Sequence, residues 1–582
     1  MARTSSQILA FGATLCNFAL AGVLPPQPRA ILPPFSPEYP LYSAPLKIPP
    51  LAVPLTNFTD ESGKTIDAFE VDIREFTEQI YPIESGVGPT TFVGYNGMVP
   101  GPTFSMTRGR EAVVRFTNSY TRNSSIHLHG SYSRAPWDGW AEDVTPPGFY
   151  KDYYYPNGQP QRTLWYHDHA IDLTALNVGF GQAGFYVLHD PDPNQDFGLP
   201  TEQYDVPLMI VSKKFNADGT LYDFVANAGD AFGDVITVNG IPWPFFEVEP
   251  RKYRFRLLDA SVTRSYLLHL ADEADPTVDL PFTVVGADAG LLSHPVDTFN
   301  LSIAMAERYE VVIDFSLYQG KTLLFQNTFA WQTNPDYPNT DKVMKFVVGD
   351  TVTDTKNNGP IPAKLATLKT PSDRTTIDHS FVFDRNAAGH WSINNVTFDD
   401  VTNRILAKPQ QGEVERWQLR NLGTTWSHPI HIHLVDFQVA SRVGPRPVEP
   451  YEAAALKDVV YLGTNETLEV IANYQPWAGV YMFHCHNLQH EDNGMMGAFN
   501  ATSVNLTAFG YPDNATFADP MAGIWRSRPI LSTTSIQDMH DNVLPMFIGL
   551  GAYPNADAVE DALAHYYAES NTTATDGIPP NV

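Results

Sequence analysis

One short stretch, residues 481–495, contains three kinds of metal-binding side chain and reads Tyr-Met-Phe-His-Cys-His-Asn-Leu-Gln-His-Glu-Asp-Asn-Gly-Met. The apolar run 480–483 follows a Trp-Ala-Gly turn signal and predicts a buried strand. Cys485, His490 and Met495 offer a thiolate, an imidazole and a thioether, which belong to the ligand set of a mononuclear copper electron-transfer site. The last two are expected in a loop that folds back toward the cysteine. A second imidazole must come from elsewhere in the chain.

The predicted strand would present neighbouring side chains to different metal sites. Because alternate side chains of a strand point to opposite faces, His484 and His486 share one face and Cys485 lies on the other. A metal bound to the cysteine would therefore lie behind a second site held by the two histidines. The alternatives are a structural zinc site, which usually contains several cysteines, and histidines that only form hydrogen bonds in a core. The mixture of ligand types favours copper.

Three further histidine clusters precede this stretch: His127-Leu-His129, His167-Asp-His169 and His428-Pro-Ile-His431-Ile-His433. The Cα atoms of two histidines at positions i and i+2 of a strand lie about 6.5–7 Å apart, so the two side chains bind two neighbouring metals more easily than one. The four His-X-His pairs therefore predict a cluster of several metal ions between two domains. His428 stands outside the pairs and is the natural second imidazole for the Cys485 site.

The clusters lie in a β unit that occurs three times. Each copy joins a turn to a strand of alternating charged and apolar residues, followed by a loop and a second strand; the copies begin near residues 95, 238 and 393. Repeats of about 150 residues are duplicated domains, and each is the size of a small Greek-key sandwich. Because Gly and Pro turns separate runs rich in Val, Tyr, Phe and Thr, the chain is predicted to be all-β.

The repeats set the predicted domain organisation. The middle copy keeps only His269, which we interpret as structural, so the metal chemistry belongs to the first and third copies. The polar segment 351–375 is a predicted linker, and the tail contains a possible helix, Ala556–Ser570. The predicted segments are a signal peptide at 1–21, a Pro-rich propeptide or arm at 22–50, domains at 51–195, 196–365 and 375–540, and a C-terminal tail at 541–582.

The N-terminus and the composition predict a secreted protein. A basic residue precedes the apolar stretch 8–24, with Ala19-Leu-Ala21 as a possible cleavage point. Cys16 lies in this signal, so the mature chain would keep Cys485 alone and could form no intramolecular disulfide. The net charge of −28 disfavours nucleic acid as a partner, and we expect a monomer without a membrane span. Nine sequons fit a glycoprotein: Asn57, Asn123, Asn300, Asn395, Asn465, Asn500, Asn505, Asn514 and Asn571.

Taken together, the ligand clusters resemble those of the multicopper oxidases, and the likeness covers nearly the whole predicted mature chain. In that family a type 1 copper takes electrons from a donor, and a three-copper cluster between the first and last domains reduces oxygen to water. The resemblance implies cupredoxin-like domains, the four family coppers, and oxygen and small-molecule reductants as partners. It also implies the ligands: His428, Cys485, His490 and Met495 for type 1 copper, His127 and His431 for type 2 copper, and His129, His167, His169, His433, His484 and His486 for the type 3 pair.

Longer segments resemble one branch of the family, the bilirubin oxidases, more than plant or basidiomycete-type laccases. These segments are 127–143, 151–156, 248–256, 305–312 and 425–437. The resemblance implies bilirubin, other tetrapyrroles or phenols as donors, with a laccase-like phenol oxidase or a metal-ion oxidase as the alternative. Gln489 stands where an aliphatic residue is expected, and Asn493-Gly494 replaces a more polar pair; both changes lie beside the type 1 site.

Three residues that are not ligands also have expected roles. Asp138 matches the family's acidic residue near the three-copper cluster and would donate protons to reduced oxygen; alternatively, it is a turn residue before Gly139. Glu491 either joins a proton relay or only forms a hydrogen bond with a ligand. Trp426 either lines the donor side of type 1 copper or is a core aromatic residue.

A copper carrier or storage protein without turnover is the alternative from a different class. The complete ligand set counts against it, because storage needs no separate sites for electron entry and oxygen reduction. Under the oxidase hypothesis, an electron that enters at Cys485 can leave through the backbone to His484 or His486. Oxygen uptake with a reductant would separate the two classes.

Overall fold

The structure is a computed structural model that describes residues 31–227, 231–328, 335–511, 517–550 and 556–575. The predicted signal peptide and the first part of the predicted arm, up to residue 30, lie outside the described residues. The described chain folds into three successive β-sandwiches, which confirms the all-β prediction. We propose that each sandwich is one of the three predicted domains. None of the described helices has the length and apolar character needed to cross a membrane.

The first sandwich packs a six-stranded sheet against a four-stranded sheet that carries the first two histidine clusters. Its strands are β1 Thr56–Thr59, β2 Thr65–Glu78, β3 Thr90–Tyr95, β4 Gly101–Thr107, β5 Glu111–Asn118, β6 Ile126–His129, β7 Phe149–Tyr155, β8 Arg162–Asp168 and β9 Ala183–His189. The larger sheet runs β1-β2-β5-β7, with β3 beside β2 and the late strand Arg528–Pro529 beside β7; the smaller runs β4-β9-β8-β6. Antiparallel pairing of β6 with β8 places His127 opposite His167. Helix α1, Thr174–Phe180, follows the second cluster.

The middle sandwich consists of a seven-stranded and a six-stranded sheet. Its strands are β10 Asp205–Lys213, β11 Val235–Val238, β12 Ile241–Pro242, β13 Phe245–Val248, β14 Lys252–Asp259, β15 Tyr266–Asp272, β16 Asp275–Leu280, β17 Phe282–Ala287, β18 Gly290–Thr298, β19 Asn300–Ile303, β20 Arg308–Asp314, β21 Thr322–Asn327 and β22 Lys342–Val348. The sheet orders are β12-β11-β10-β14-β20-β17-β18 and β13-β22-β21-β15-β16, with β19 beside β15. Nδ1 of His269 lies 2.7 Å from Oδ1 of Asp279 across the β15–β16 hairpin, as expected of a structural histidine.

The third sandwich contains two five-stranded sheets. Its elements are β23 His379–Arg385, β24 Trp391–Ile393, β25 Ile405–Ala407, β26 Val414–Asn421, β27 His428–Ile432, β28 Phe437–Val443, α2 Pro450–Ala453, β29 Val459–Leu462, β30 Glu466–Asn473, β31 Gly479–Cys485, α3 Leu488–Asp492 and β32 Met496–Ala501. The sheet orders are β24-β23-β26-β30-β28 and β25-β32-β31-β27-β29. The register of β27 against β31 places His431 opposite His484 and Ile430 opposite Cys485.

The segment after β31 is partly helical, whereas a loop was predicted. The carbonyl of Asn487 accepts hydrogen bonds from the N–H groups of His490 and Glu491, at 2.8 and 3.0 Å, and so closes the first turn of α3. His490 is therefore held by a short helix.

The C-terminal tail packs on the sandwiches instead of extending from them. Helix α6 spans Ala556–Thr575, five residues longer than the predicted Ala556–Ser570, because no Gly or Pro interrupts this stretch. Val559 and Leu563 are buried in the core of the third sandwich. Two shorter helices precede it, α4 Ile536–Asp538 and α5 Leu544–Ile548, and the second of these packs on the first sandwich.

Candidate metal centres

The eight histidines of the His-X-His pairs meet between the first and third sandwiches, and all are almost fully buried. One strand positions each pair, because residues i and i+2 of a strand point to the same face. Three of the pairs straddle a strand end, so that His169, His433 and His486 follow β8, β27 and β31 directly. We call this assembly the histidine centre.

Three of these histidines form a compact unit, the His484 group. Nε2 of His484 lies 3.2 Å from Nε2 of His169 and 3.2 Å from Nε2 of His433. A carboxylate faces the Nδ1 atom of each ring: Asp138 lies 2.7 Å from His433, and Glu491 lies 3.1 Å from His484 and 3.6 Å from His169. Because such a carboxylate keeps the proton on Nδ1, three Nε2 lone pairs converge. A bound cation would neutralise their repulsion, so this group fits a metal ion.

Three others form the His486 group. The ring centroids of His129, His167 and His486 lie 5.2–5.6 Å apart, and Nε2 of His167 lies 3.4 Å from Nδ1 of His129. Neither ring nitrogen of His486 has a hydrogen-bond partner among the described residues, which is costly for a buried polar group unless something binds there. The last two, His127 and His431, bring their Nε2 atoms within 3.4 Å of each other. Other combinations also bring their ring nitrogens close enough to share an ion, among them His127 with His431 and His433. The assignment of each ring to a type 2 or type 3 copper therefore stays a prediction.

Burial sets the charge of these rings. Desolvation is the largest effect and lowers the pKa of His167 to about 3 and the pKa of His169 to about 4. Burial likewise lowers the pKa of His127, His129 and His431 well below the ordinary value. These five imidazoles are therefore neutral near pH 7, which is the form that offers a lone pair to a metal.

Asp138 binds two ligand candidates from different sandwiches. Its Oδ2 accepts the hydrogen bond from Nδ1 of His433, and its backbone carbonyl lies 2.5 Å from Nδ1 of His127. Burial raises the pKa of the Asp138 carboxyl well above its ordinary value, and Lys151 offsets part of this effect. The structure therefore brings Asp138 to the histidine centre, where its carboxyl favours the protonated form.

Glu491 lies between two rings of the His484 group. Burial alone would raise its pKa, but His484 and His169 lower the pKa of Glu491 to about 2. Its carboxylate is therefore ionised next to two imidazoles, where it orients them.

A third carboxylate, Asp458, also lies at the histidine centre and was not predicted from the sequence. Its Oδ1 lies 3.1 Å from Nε2 of His129, and its backbone carbonyl lies 2.8 Å from Nδ1 of His431. Arg308 of the middle sandwich donates from Nη1 to the same carboxylate at 2.7 Å. The three sandwiches thus meet at Asp458. No local pattern could have identified it, because its partners are more than twenty residues away in the sequence.

On the other face of β31, Cys485 meets two histidines in what we call the cysteine centre. Sγ lies 3.4 Å from Nδ1 of His428 and 3.7 Å from Nδ1 of His490, and these two nitrogens are 3.2 Å apart. Met495 is fully buried in the same core, and its carbonyl accepts the hydrogen bond from the N–H of Cys485 at 3.1 Å. Burial raises the pKa of the Cys485 thiol, so a thiolate here requires a nearby cation. This donor set fits copper.

A cavity of about 480 Å³, the donor cavity, opens beside His490. The ring centroid of Trp391 lies 3.9 Å from the centroid of His490, and Trp426 meets the edge of the same ring at 4.9 Å. The guanidinium of Arg385 lies 3.9 Å over the ring of Trp391. Gln489 also lines the cavity. The structure therefore places Trp426 beside the cysteine centre. The roles of Trp391 and Arg385 were not predicted from the sequence.

Known proteins share this architecture. Family models described as Multicopper oxidase match residues 77–193 and 362–504. A bilirubin oxidase from Albifimbria verrucaria is 52% identical over 505 residues, which cover 85% of this chain and 86% of that protein. A laccase from Bacillus subtilis (strain 168) is 33% identical over 516 residues, 78% of this chain and 98% of that protein. The crystal structure of a laccase from Pediococcus acidilactici Pa5930 matches 81% of this chain and 96% of its own, with a TM-score of 0.69 at 27% identity. The chain therefore belongs to the multicopper oxidase family, whose members carry four copper ions, oxidise a donor and use oxygen as the acceptor.

Proposed function

We propose that the protein is a bilirubin oxidase-like enzyme that takes electrons one at a time from tetrapyrrole or phenolic donors and reduces oxygen to water. The position of Cys485 in the chain carries this proposal. Its neighbours His484 and His486 belong to the two different histidine triplets, so the backbone joins the thiolate to both by covalent bonds. The 52% identity to a bilirubin oxidase supports the choice of donor.

The two centres would hold the family's metals in separate roles. Copper supplies the redox chemistry, with electron entry at the type 1 site and oxygen reduction at the other three ions. The cysteine centre would hold type 1 copper through His428, Cys485, His490 and Met495. His127 and His431 would hold type 2 copper, and the His484 and His486 groups would hold the type 3 pair.

Reduction of oxygen to water consumes protons, and two carboxyl groups are positioned to handle them. A buried carboxyl with a raised pKa is a suitable general acid near neutral pH, so we assign proton donation to Asp138. Glu491 lines a second cavity, of about 130 Å³, whose walls include Asp172 and Asp399. This cavity would give solvent protons a route to Nδ1 of His484.

The donor cavity fits an anionic donor that contains flat ring systems. Trp391 and Trp426 offer aromatic walls, and Arg385 adds an exposed guanidinium. Bilirubin combines two flat dipyrrinone halves, joined by a methylene group, with two propionate groups, and these match both features. A simple phenol matches only the aromatic walls. We therefore propose bilirubin as the preferred donor of the two.

The same proposal includes the location and the assembly of the protein. The predicted signal peptide and the sequons support a secreted glycoprotein. The net charge of −28 supports a monomer that binds neither nucleic acid nor membranes.

Oxygen uptake by the copper-loaded protein tests the choice of donor. We expect a higher kcat/KM for bilirubin than for a neutral methoxyphenol. Arg385→Gln should lower the value for bilirubin about 2- to 5-fold, because an exposed charge pair contributes modestly, and should leave the phenol value within about twofold. Arg420→Gln on β26, outside the cavity, is the matched control. A preference for the phenol would assign the protein to laccase-type phenol oxidation instead.

A further inference from the structure

Helix α3, which carries His490, is attached to the middle sandwich. The N–H of Leu488 donates a hydrogen bond to the carbonyl of Val262 at 3.0 Å. Leu488 is fully buried in an apolar cluster that includes Phe224, Ala231 and Val262 of the middle sandwich. The start of the helix is therefore fixed two residues before His490 by a domain that supplies none of the predicted copper ligands.

Gln489 adds a polar contact to the same domain. Its Oε1 accepts a hydrogen bond from the N–H of Ala231 at 3.2 Å, while the residue also lines the donor cavity. The aliphatic residue expected at this position could not accept that bond. The departure from the family pattern therefore has a structural consequence in this chain.

Phe232, which follows Ala231 in the middle sandwich, contacts a residue that lines the donor cavity. Its buried ring stacks on Trp426, with centroids 5.8 Å apart and planes at 16°. Trp426 in turn meets the edge of His490. The tryptophan is thus held between a ring of the middle sandwich and a predicted ligand.

We propose that Gln489 is a positioning residue of the electron-entry site: bound to Ala231, and acting with Phe232 behind Trp426, it fixes His490 and Trp426 relative to each other for a large donor with flat ring systems. This inference rests on the proposed function, since it concerns how the donor meets His490. A large donor touches both rings and depends on their relative placement. A small inorganic donor such as ferrocyanide needs only to approach His490.

The test compares two substitutions of nearly equal size. Gln489→Met loses the acceptor, whereas Gln489→Glu keeps it. In copper-free protein, amide hydrogen exchange of residues 486–495 should be about 2- to 10-fold faster in Q489M than in the wild type, since one hydrogen bond is lost, and close to the wild-type rate in Q489E. Gln319→Met, which removes the hydrogen bond that Gln319 donates to the carbonyl of Asp350, is the matched control and should leave this segment unchanged.

Kinetics of the copper-loaded enzyme provide the second measurement. In Q489M, and in Phe232→Leu, KM for bilirubin should rise about 2- to 10-fold, and the ratio of kcat/KM for bilirubin to kcat/KM for ferrocyanide should fall by a similar factor. Unchanged hydrogen exchange in Q489M together with an unchanged KM for bilirubin in both variants would overturn the inference. An equal decrease of kcat/KM for bilirubin and for ferrocyanide would also overturn it. A wild-type enzyme that consumes no oxygen with either donor would refute the proposed function, and the exchange measurement would still decide the inference.

Discussion

At the scale of single residues, the hydrogen bond at one imidazole nitrogen decides which nitrogen faces the histidine centre. Oδ2 of Asp138 accepts a hydrogen bond from Nδ1 of His433, and the carboxylate of Glu491 faces Nδ1 of His484. The Nε2 atoms of both rings therefore point into the histidine centre. A carboxyl in such a place has two separable effects: it orients the ring, and it can carry a proton. An asparagine keeps the first effect and loses the second, since an amide oxygen still accepts a hydrogen bond.

Asp138→Asn should therefore lower kcat for oxygen reduction by about 100-fold or more, which is the usual contribution of a general acid. We expect the copper content per chain and KM for the donor to stay close to wild-type values. Oxygen consumption over a range of donor concentrations gives kcat and KM, and metal analysis gives the copper content. Asp541→Asn, at an exposed carboxylate, is the control. A full rate in D138N would make Asp138 a turn residue without a proton role.

At the scale of elements, the alternation of side chains along a strand was enough to predict which ligand candidates share a face. Cys485 lies on one face of β31 and its neighbours serve the other, because a strand alternates its side chains whatever surrounds it. The short α3 escaped prediction, since five residues are too few for a helical pattern. Asp458 and Arg308 were not predicted for another reason: their contact joins β20 of the middle sandwich to the residue before β29 of the third, and only the packing of domains brings them together.

At the scale of the whole molecule, buried charges tie the middle sandwich to the first. Arg254 and Arg256 on β14 both donate to Glu310 on β20, at 2.9 and 2.7 Å. Thr163 of the first sandwich donates to the same carboxylate at 2.7 Å and accepts from Arg256 at 2.7 Å. Removing one charge from such a set is costly, because the partner charges stay desolvated.

Glu310→Gln should lower the free energy of unfolding by about 3 kcal/mol at pH 7. Burial would raise the pKa of Glu310, but Arg254 and Arg256 lower it from 4.5 to about 2. The stabilisation is therefore fully present above pH 4.5 and is lost as the pH falls through 2. At pH 3 the difference between wild type and variant should be smaller by about 2 kcal/mol. Urea unfolding of the copper-free protein at both pH values measures it.

The surface ion pair between exposed Glu273 and half-buried Lys345 supplies the control for this measurement. Glu273→Gln should change the free energy of unfolding by less than about 1 kcal/mol at either pH, because water screens exposed charges. A difference for E310Q that does not vary with pH would contradict the assigned electrostatic origin.

The central claim is that one chain joins an electron-entry site at Cys485 to a separate oxygen-reducing site. The ratio of electrons consumed to oxygen consumed, measured with ferrocyanide and a peroxide assay on copper-loaded protein, tests it most directly. We predict that the protein consumes about four electrons per oxygen molecule and releases no peroxide, as reduction to water requires. In Cys485→Ser, both the blue absorption of the thiolate–copper site and the oxygen uptake should be lost. Two electrons per oxygen with release of peroxide, or undiminished uptake in C485S, would contradict the account.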